Sequence, residues 1–205
     1  MIRFKVYVDS PHQRSINRAV EALREGKLII YPTDTVYGVG CSVYRKQALE
    51  AIYRLKGKTK FEPMSLICES IQQASRYARI TNFAFRVLKR CFPGPYTVIL
   101  EATREIPKLM LARRKEVGIR IPDNRMVIQI VRTLGYPLAN TSVNLEEGEL
   151  LNDPQEIEQR YHHQAEVFLD AGPLPDAEES TIIKVVREEI EVIREGKGSL
   201  ERILI

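Results

Sequence analysis

The sequence predicts an α/β domain on one open, twisted mixed sheet with flanking helices, and three observations carry that expectation. Short β-prone runs alternate with amphipathic stretches along all 205 residues. Pro and Gly are spread along the chain rather than gathered in long runs, with no repeat or low-complexity linker, so residues 1–205 read as a single domain. A hydrophobic content of 44% suits one core burying roughly 70% of the unfolded surface.

Each element has its own warrant. Residues 3–8 form a first short strand. Ile16, Ala19, Val20 and Leu23 recur at spacings of three and four, which predicts a helix over 14–24 capped by Gly26. Residues 27–31 form a compact apolar strand stopped by Pro32. Ala48, Ala51, Ile52 and Leu55 share a face of a helix over 47–55, and 64–68 is the next strand. A helix over 83–91 leads through Pro93-Gly94-Pro95 to a strand at 96–100. Residues 117–121 are another strand, broken by Pro122. The helix over 126–134 ends near Gly135 and passes to a short strand at 138–140. Asp153 and Pro154 mark the N-cap and first turn of a helix over 153–161. Strand 167–169 follows, and 181–186 with 191–194 closes the chain as a hairpin.

Composition excludes several classes. No run approaches the ~18 apolar residues of a membrane span, and charge in the first fourteen residues opposes a signal peptide, so a cytoplasmic chain without membrane contact is expected. Cys41, Cys68 and Cys91 are odd in number and far apart, which implies reduced packing residues. His12 and the neighbours His162 and His163 offer poor geometry for a metal, since adjacent helical residues point about 100° apart. The net charge of +4 conceals an asymmetry: residues 1–140 carry +14 and residues 141–205 carry −10. Basic clusters at Arg54 to Lys60, Arg86 to Arg90 and Arg113 to Lys115 either form solvated surface or hold a polyanion.

Two phosphate-binding patterns fail on inspection. Gly57-Lys58-Thr59 follows a helix and has Ile52 where a P-loop needs glycine. Gly38-Val39-Gly40 has Val43 in place of the third dinucleotide glycine. No G-x-S-x-G elbow exists for nucleophilic catalysis. What remains are short polar loops beside buried strands. They hold Thr33, Asp34 and Thr35; Lys56, Gly57 and Lys58; Arg120; Asn140, Thr141, Ser142 and Asn144; Ser180 and Thr181; and Arg194. The hydroxyls are either turn caps or ligand contacts. Arg120 alternates with Val117, Ile119 and Ile121, so it faces away from them, either into solvent or as a fork for a carboxylate.

In order along the chain, P-T-D-T-V-Y-G, K-G-K, P-G-P-Y-T-V-I-L, G-I-R-I-P, N-T-S-V-N, S-T-I-I and R-E-G resemble the YrdC family, whose founding activity is threonylcarbamoyl-AMP synthase. The opening P-H-Q-R-S-I-N-R-A-V and the run P-M-S-L-I-C are most similar to its YciO branch. The resemblance implies a concave, basic cavity and a nucleotidyltransferase that condenses L-threonine, bicarbonate or CO2, and ATP into threonylcarbamoyl-adenylate and pyrophosphate, for tRNA t6A modification. Mg²⁺ bridging the phosphates is implied with it, as are double-stranded RNA or tRNA binding and t6A-machinery partners. By motif position, Lys56 and Lys58 fall at the phosphates and Thr35, Arg120 and Ser180 at threonine. Thr33, Ser142, Asn144 and Arg194 fall at the nucleotide, and Lys56, Lys58 and Arg120 carry the catalytic assignment. A non-catalytic RNA- or ribosome-binding module of the same fold is the alternative.

The chain also departs from the synthase pattern. The K-x-R motif ends in Lys58, a point charge in place of a planar fork. Glu62 and Glu116 stand on the nucleotide side, and residues 145–148 read Leu-Glu-Glu-Gly where small polar residues are usual. A carboxylate ~4 Å from a phosphate costs on the order of 4 kcal/mol at an effective dielectric of 20, so weakened nucleotide affinity is expected.

Overall fold

The computed structural model describes residues 1–55, 64–111, 115–143 and 150–204. Its strands are β1 (Ile2–Lys5), β2 (Leu28–Tyr31), β3 (Gly38–Ser42), β4 (Ser65–Ile67), β5 (Tyr96–Glu101), β6 (Glu116–Arg120), β7 (Leu138–Ser142), β8 (Ala165–Asp170), β9 (Thr181–Val186) and β10 (Glu189–Arg194). The helices are α1 (Gln13–Arg24), α2 (Lys46–Leu55), α3 (Ile71–Ala74), α4 (Asn82–Cys91), α5 (Arg125–Leu134), α6 (Pro154–Tyr161) and α7 (Glu201–Leu204). The strands join in a single sheet ordered β1-β8-β2-β3-β7-β4-β6-β5-β9-β10. Four neighbouring pairs, β1 with β8, β8 with β2, β4 with β6 and β5 with β9, run parallel. The other five run antiparallel, as a mixed sheet requires.

Local chemistry sets the helix ends. Thr81 accepts from the Ala84 amide, Asn124 from Val127, and Asp153 from Gln155 and Glu156, each relieving orphan donors of a first turn. Gly135, at φ 88°, closes α5 in the left-handed conformation that glycine adopts without strain.

Beyond differences of a few residues at element ends, the sequence reading lacks β3, α3 and α7. Helices of four residues carry too few positions for a period. β3 is hidden for another reason. Its glycines depress strand propensity, yet a Cβ at Gly40 would lie 2.7 Å from the Tyr31 ring and one at Gly38 2.6 Å from Asn140 Oδ1. Glycine is there because a tyrosine lies across the strand.

The sheet separates two cores. On one face Leu28, Ile30, Val39, Leu66, Ile119 and Phe168 pack against α2, α4 and α6. On the other, Ile29, Tyr31, Ile67, Leu138 and Val167 are covered by α1 and α5. All three cysteines are buried and unpaired, and burial pushes their thiols up, that of Cys91 to about 12, which fits packing residues. Among the described residues no helix is long and apolar enough to cross a membrane.

Candidate active site

The face covered by α1 and α5 changes character partway across the sheet. Alternation keeps Ser65 on the face of Ile67, Asn140 and Ser142 on that of Leu138, and Gly118 on that of Arg120. Register aligns Gly40, Asn140, Ser65 and Gly118 in one row. The pairing of Val98 with Ile119 sets Thr97 opposite Arg120. A Cβ on Gly118 would approach Thr97 Cγ2 to 3.1 Å, so this glycine keeps the floor low between Ser65 and Thr97. The result is a polar strip continuing an apolar face.

Arg120 sits at the boundary. It is 4% exposed, which removes the solvated alternative. Its Nη2 donates to Asp34 Oδ1 at 3.1 Å and to Thr35 Oγ1 at 3.0 Å. The other Asp34 oxygen accepts from the Asp123 amide at 3.0 Å, and Asn124 Nδ2 donates to the Pro32 carbonyl at 3.2 Å. The loop leaving β2 therefore docks on the end of β6, four steps away in the strand order. Burial pushes the Arg120 guanidinium below its ordinary value; Asp34 and Tyr31 oppose that, and Arg194 adds repulsion. The fork expected for a carboxylate is thus partly engaged within the chain. Its Nε is buried and finds no acceptor among the described residues.

The remaining predicted residues divide. Thr35 touches Arg120 directly. Ser180 bonds Thr97 through their hydroxyls at 2.9 Å, which places it across the strip from Arg120. Arg194 donates to the Ser180 carbonyl and pairs with Glu179. Ser142 is four residues beyond Leu138, roughly 13 Å along β7 from the Arg120 row. Thr33, expected at the nucleotide, donates to the Val36 carbonyl at 2.6 Å and meets the Thr35 hydroxyl and amide, so its hydrogen-bonding capacity is filled inside the loop. Lys56, Lys58, Asn144, Glu62 and residues 145–148 lie outside the described residues, as do Arg113 and Arg114. Glu116 is held by Lys184 at 2.8 Å, which partly offsets the repulsion expected from it. Of the basic clusters, Arg90 donates to the Ile203 carbonyl and Lys89 lines a cavity of about 590 Å³ with Arg125 and Arg132.

Sequence reasoning named Asn140 among the loop residues but assigned no role to it, nor to Tyr31, Ser65 or Thr97. The Tyr31 hydroxyl donates to Asn140 Oδ1 at 2.5 Å, and Asn140 Nδ2 donates to Ser65 Oγ at 3.3 Å. A polar residue alternating with apolar ones, the signal that selected Arg120, also marks Thr97 between Tyr96 and Val98. Among the described residues no three His, Cys, Asp or Glu side chains cluster to hold a metal.

Residues 21–196 match the Sua5–YciO–YrdC family, described as telomere recombination. The fold is similar to the crystal structure of Escherichia coli YciO, with a TM-score of 0.93, 36% identity and all of both chains covered. It is similar to P. abyssi Sua5 complexed with L-threonine, with a TM-score of 0.91 and 26% identity over 99% of this chain and 60% of that one. The threonylcarbamoyl-AMP synthase of Mus musculus is 32% identical over 80% of this chain and 58% of its own length.

Proposed function

The chain belongs to the Sua5–YciO–YrdC family, and from that premise we propose that it is a threonylcarbamoyl-AMP synthase, a nucleotidyltransferase acting on L-threonine, bicarbonate or CO2, and MgATP. The observation that carries the reading is Arg120. A guanidinium buried in the strand that holds Val117 and Ile119, with a donor left unpaired and hydroxyls on both sides, is arranged to receive a small carboxylate. The Sua5 structure to which the chain is similar holds L-threonine, an amino acid of that size and charge.

The proposed chemistry needs no protein nucleophile. The free amine of threonine adds to CO2, and a carbamate oxygen attacks the α-phosphorus as pyrophosphate leaves. The chain's part is alignment and positive charge where negative charge builds, and alignment alone supplies about 7 to 11 kcal/mol in the best model systems. Arg120 holds the carboxylate, Thr35 and Ser180 flank it, and Arg194 lies toward the nucleotide. By family position Lys56 and Lys58 meet the phosphates and Asn144 and Ser142 the nucleoside. The test is pyrophosphate release from ATP with L-threonine and bicarbonate, each omitted in turn. Release that requires all three supports the reading, and release independent of threonine rejects it.

A second reading rests on the charge of +14 in residues 1–140, which suits a double-stranded RNA or tRNA partner whether or not the adenylate is made. Duplex binding that persists without pyrophosphate release would favour it.

A further inference from the structure

The hydrogen bonds of the P-T-D-T loop have a fixed direction. A carbonyl oxygen only accepts, so the contact from Thr33 Oγ1 to Val36 O, 2.6 Å, commits the single hydroxyl proton of Thr33. That hydroxyl also accepts from the Thr35 amide at 3.1 Å. In the 2.9 Å contact between the two hydroxyls, Thr33 therefore has no proton left to give, and Thr35 must be the donor. Thr35 in turn accepts from Arg120 Nη2. One acceptor position remains on its oxygen, and its proton is unavailable. The chain of donors runs Arg120, Thr35, Thr33, Val36 without a choice of direction. The three side chains are at most 6% exposed, so bulk water does not scramble that order.

Asp34 fixes the other end. With Nη2 divided between Asp34 and Thr35, the groups Arg120 has left are the Nε–H and the Nη1 donors. We infer that Thr33 and Asp34 are positioning residues that give the pocket a fixed polarity, in which Arg120 only donates and Thr35 only accepts, so that it selects a carboxylate carrying an N–H or O–H donor beside it. This rests on the amino-acid site of the proposed reaction and adds the ground of its selectivity. Thr33 acts on the ligand through Thr35. A site built to accept a hydrogen bond disfavours an analogue lacking the donor, because the remaining acceptor position on the Thr35 oxygen is then left unfilled.

The experiment measures equilibrium binding of L-threonine, L-2-aminobutyrate, 3-hydroxybutyrate and butyrate to the full chain. Wild type is expected to prefer L-threonine over butyrate by about 10- to 100-fold, the effect of one hydrogen bond to a charged group. Thr33→Val frees the Thr35 proton to turn toward the ligand, so that preference should fall by about tenfold or more, and Thr33→Ser should restore it. The ratio of two affinities in one variant is not moved by a uniform loss of folded protein. Should Thr33→Val not fold, Thr35→Val against Thr35→Ser asks the same of the acceptor. If the amine is the donor, L-2-aminobutyrate follows threonine; if the hydroxyl is, 3-hydroxybutyrate does, and either supports the inference. An unchanged preference in Thr33→Val, or in Thr35→Val where that variant stands in, overturns it and leaves the synthase reading intact. Preserved selectivity in a wild type that releases no pyrophosphate sinks the synthase reading alone. Failure to bind any of the four acids overturns both.

Discussion

Arg120→Lys keeps the charge opposite Asp34 but replaces a planar fork by a compact ammonium, whose donors do not reproduce the fixed geometry that holds the loop and leaves donors for a ligand. The apparent KM for threonine is expected to rise about 10- to 100-fold, with that for ATP nearly unchanged; steady-state kinetics with each substrate varied would show it, and equal effects on both would remove Arg120 from the carboxylate. Gly40→Ala tests the crowding of β3. A Cβ 2.7 Å from the Tyr31 ring in a fully buried strand should cost about 1–3 kcal/mol, read as a shift of the denaturation midpoint. How much of this was legible varies by residue. The inward direction of Arg120 follows from alternation with Val117 and Ile119. Its partnership with Asp34 does not, because 86 residues separate them and only the tertiary fold brings the loop after β2 onto the end of β6.

At the level of elements, α5 matters most to the site, since its cap is shared. Asn124 accepts from the Val127 amide with one side of its amide and holds the Pro32 carbonyl with the other. Asn124→Ala should lose about 2 kcal/mol, combining a cap and a buried bond, and should also raise the KM for threonine by loosening the loop. Asp153→Ala removes only the cap of α6 and should cost about 1 kcal/mol without touching KM. Thermal melts and kinetics on both variants decide it; matching KM values would detach α5 from the loop. Helices α1, α4, α5 and α6 were legible because apolar spacing and cap residues agree there. β3 was not, since its glycines answer to the ring of Tyr31 and not to strand propensity, and α3 and α7 are too short to show a period.

For the whole molecule, charge makes one prediction and topology another. Duplex RNA binding, if the basic segment mediates it, should weaken with salt along a log–log slope of about −0.7 to −0.9 per phosphate contacted. Removing Arg113, Arg114 and Lys115 together should flatten that slope by roughly one unit per lost contact. Salt-insensitive binding would contradict a role for these charges. The mixed sheet was legible from alternating strand and helix signals, but its order was not, because β8 enters between β1 and β2 from far along the chain. That insertion bears on synthesis. During translation β1 and β2 leave the ribosome long before residues 165–170, and until then nothing pairs β1 with β2 or covers that edge of Ile29 and Ile30, which end fully buried. A chain released after residue 152 should therefore be readily cut by protease or insoluble, and a protease-resistant fragment of that length would refute the expectation. Such a product would contain Thr33, Asp34, Thr35 and Arg120, so all four are translated well before the strand that joins β1 to β2.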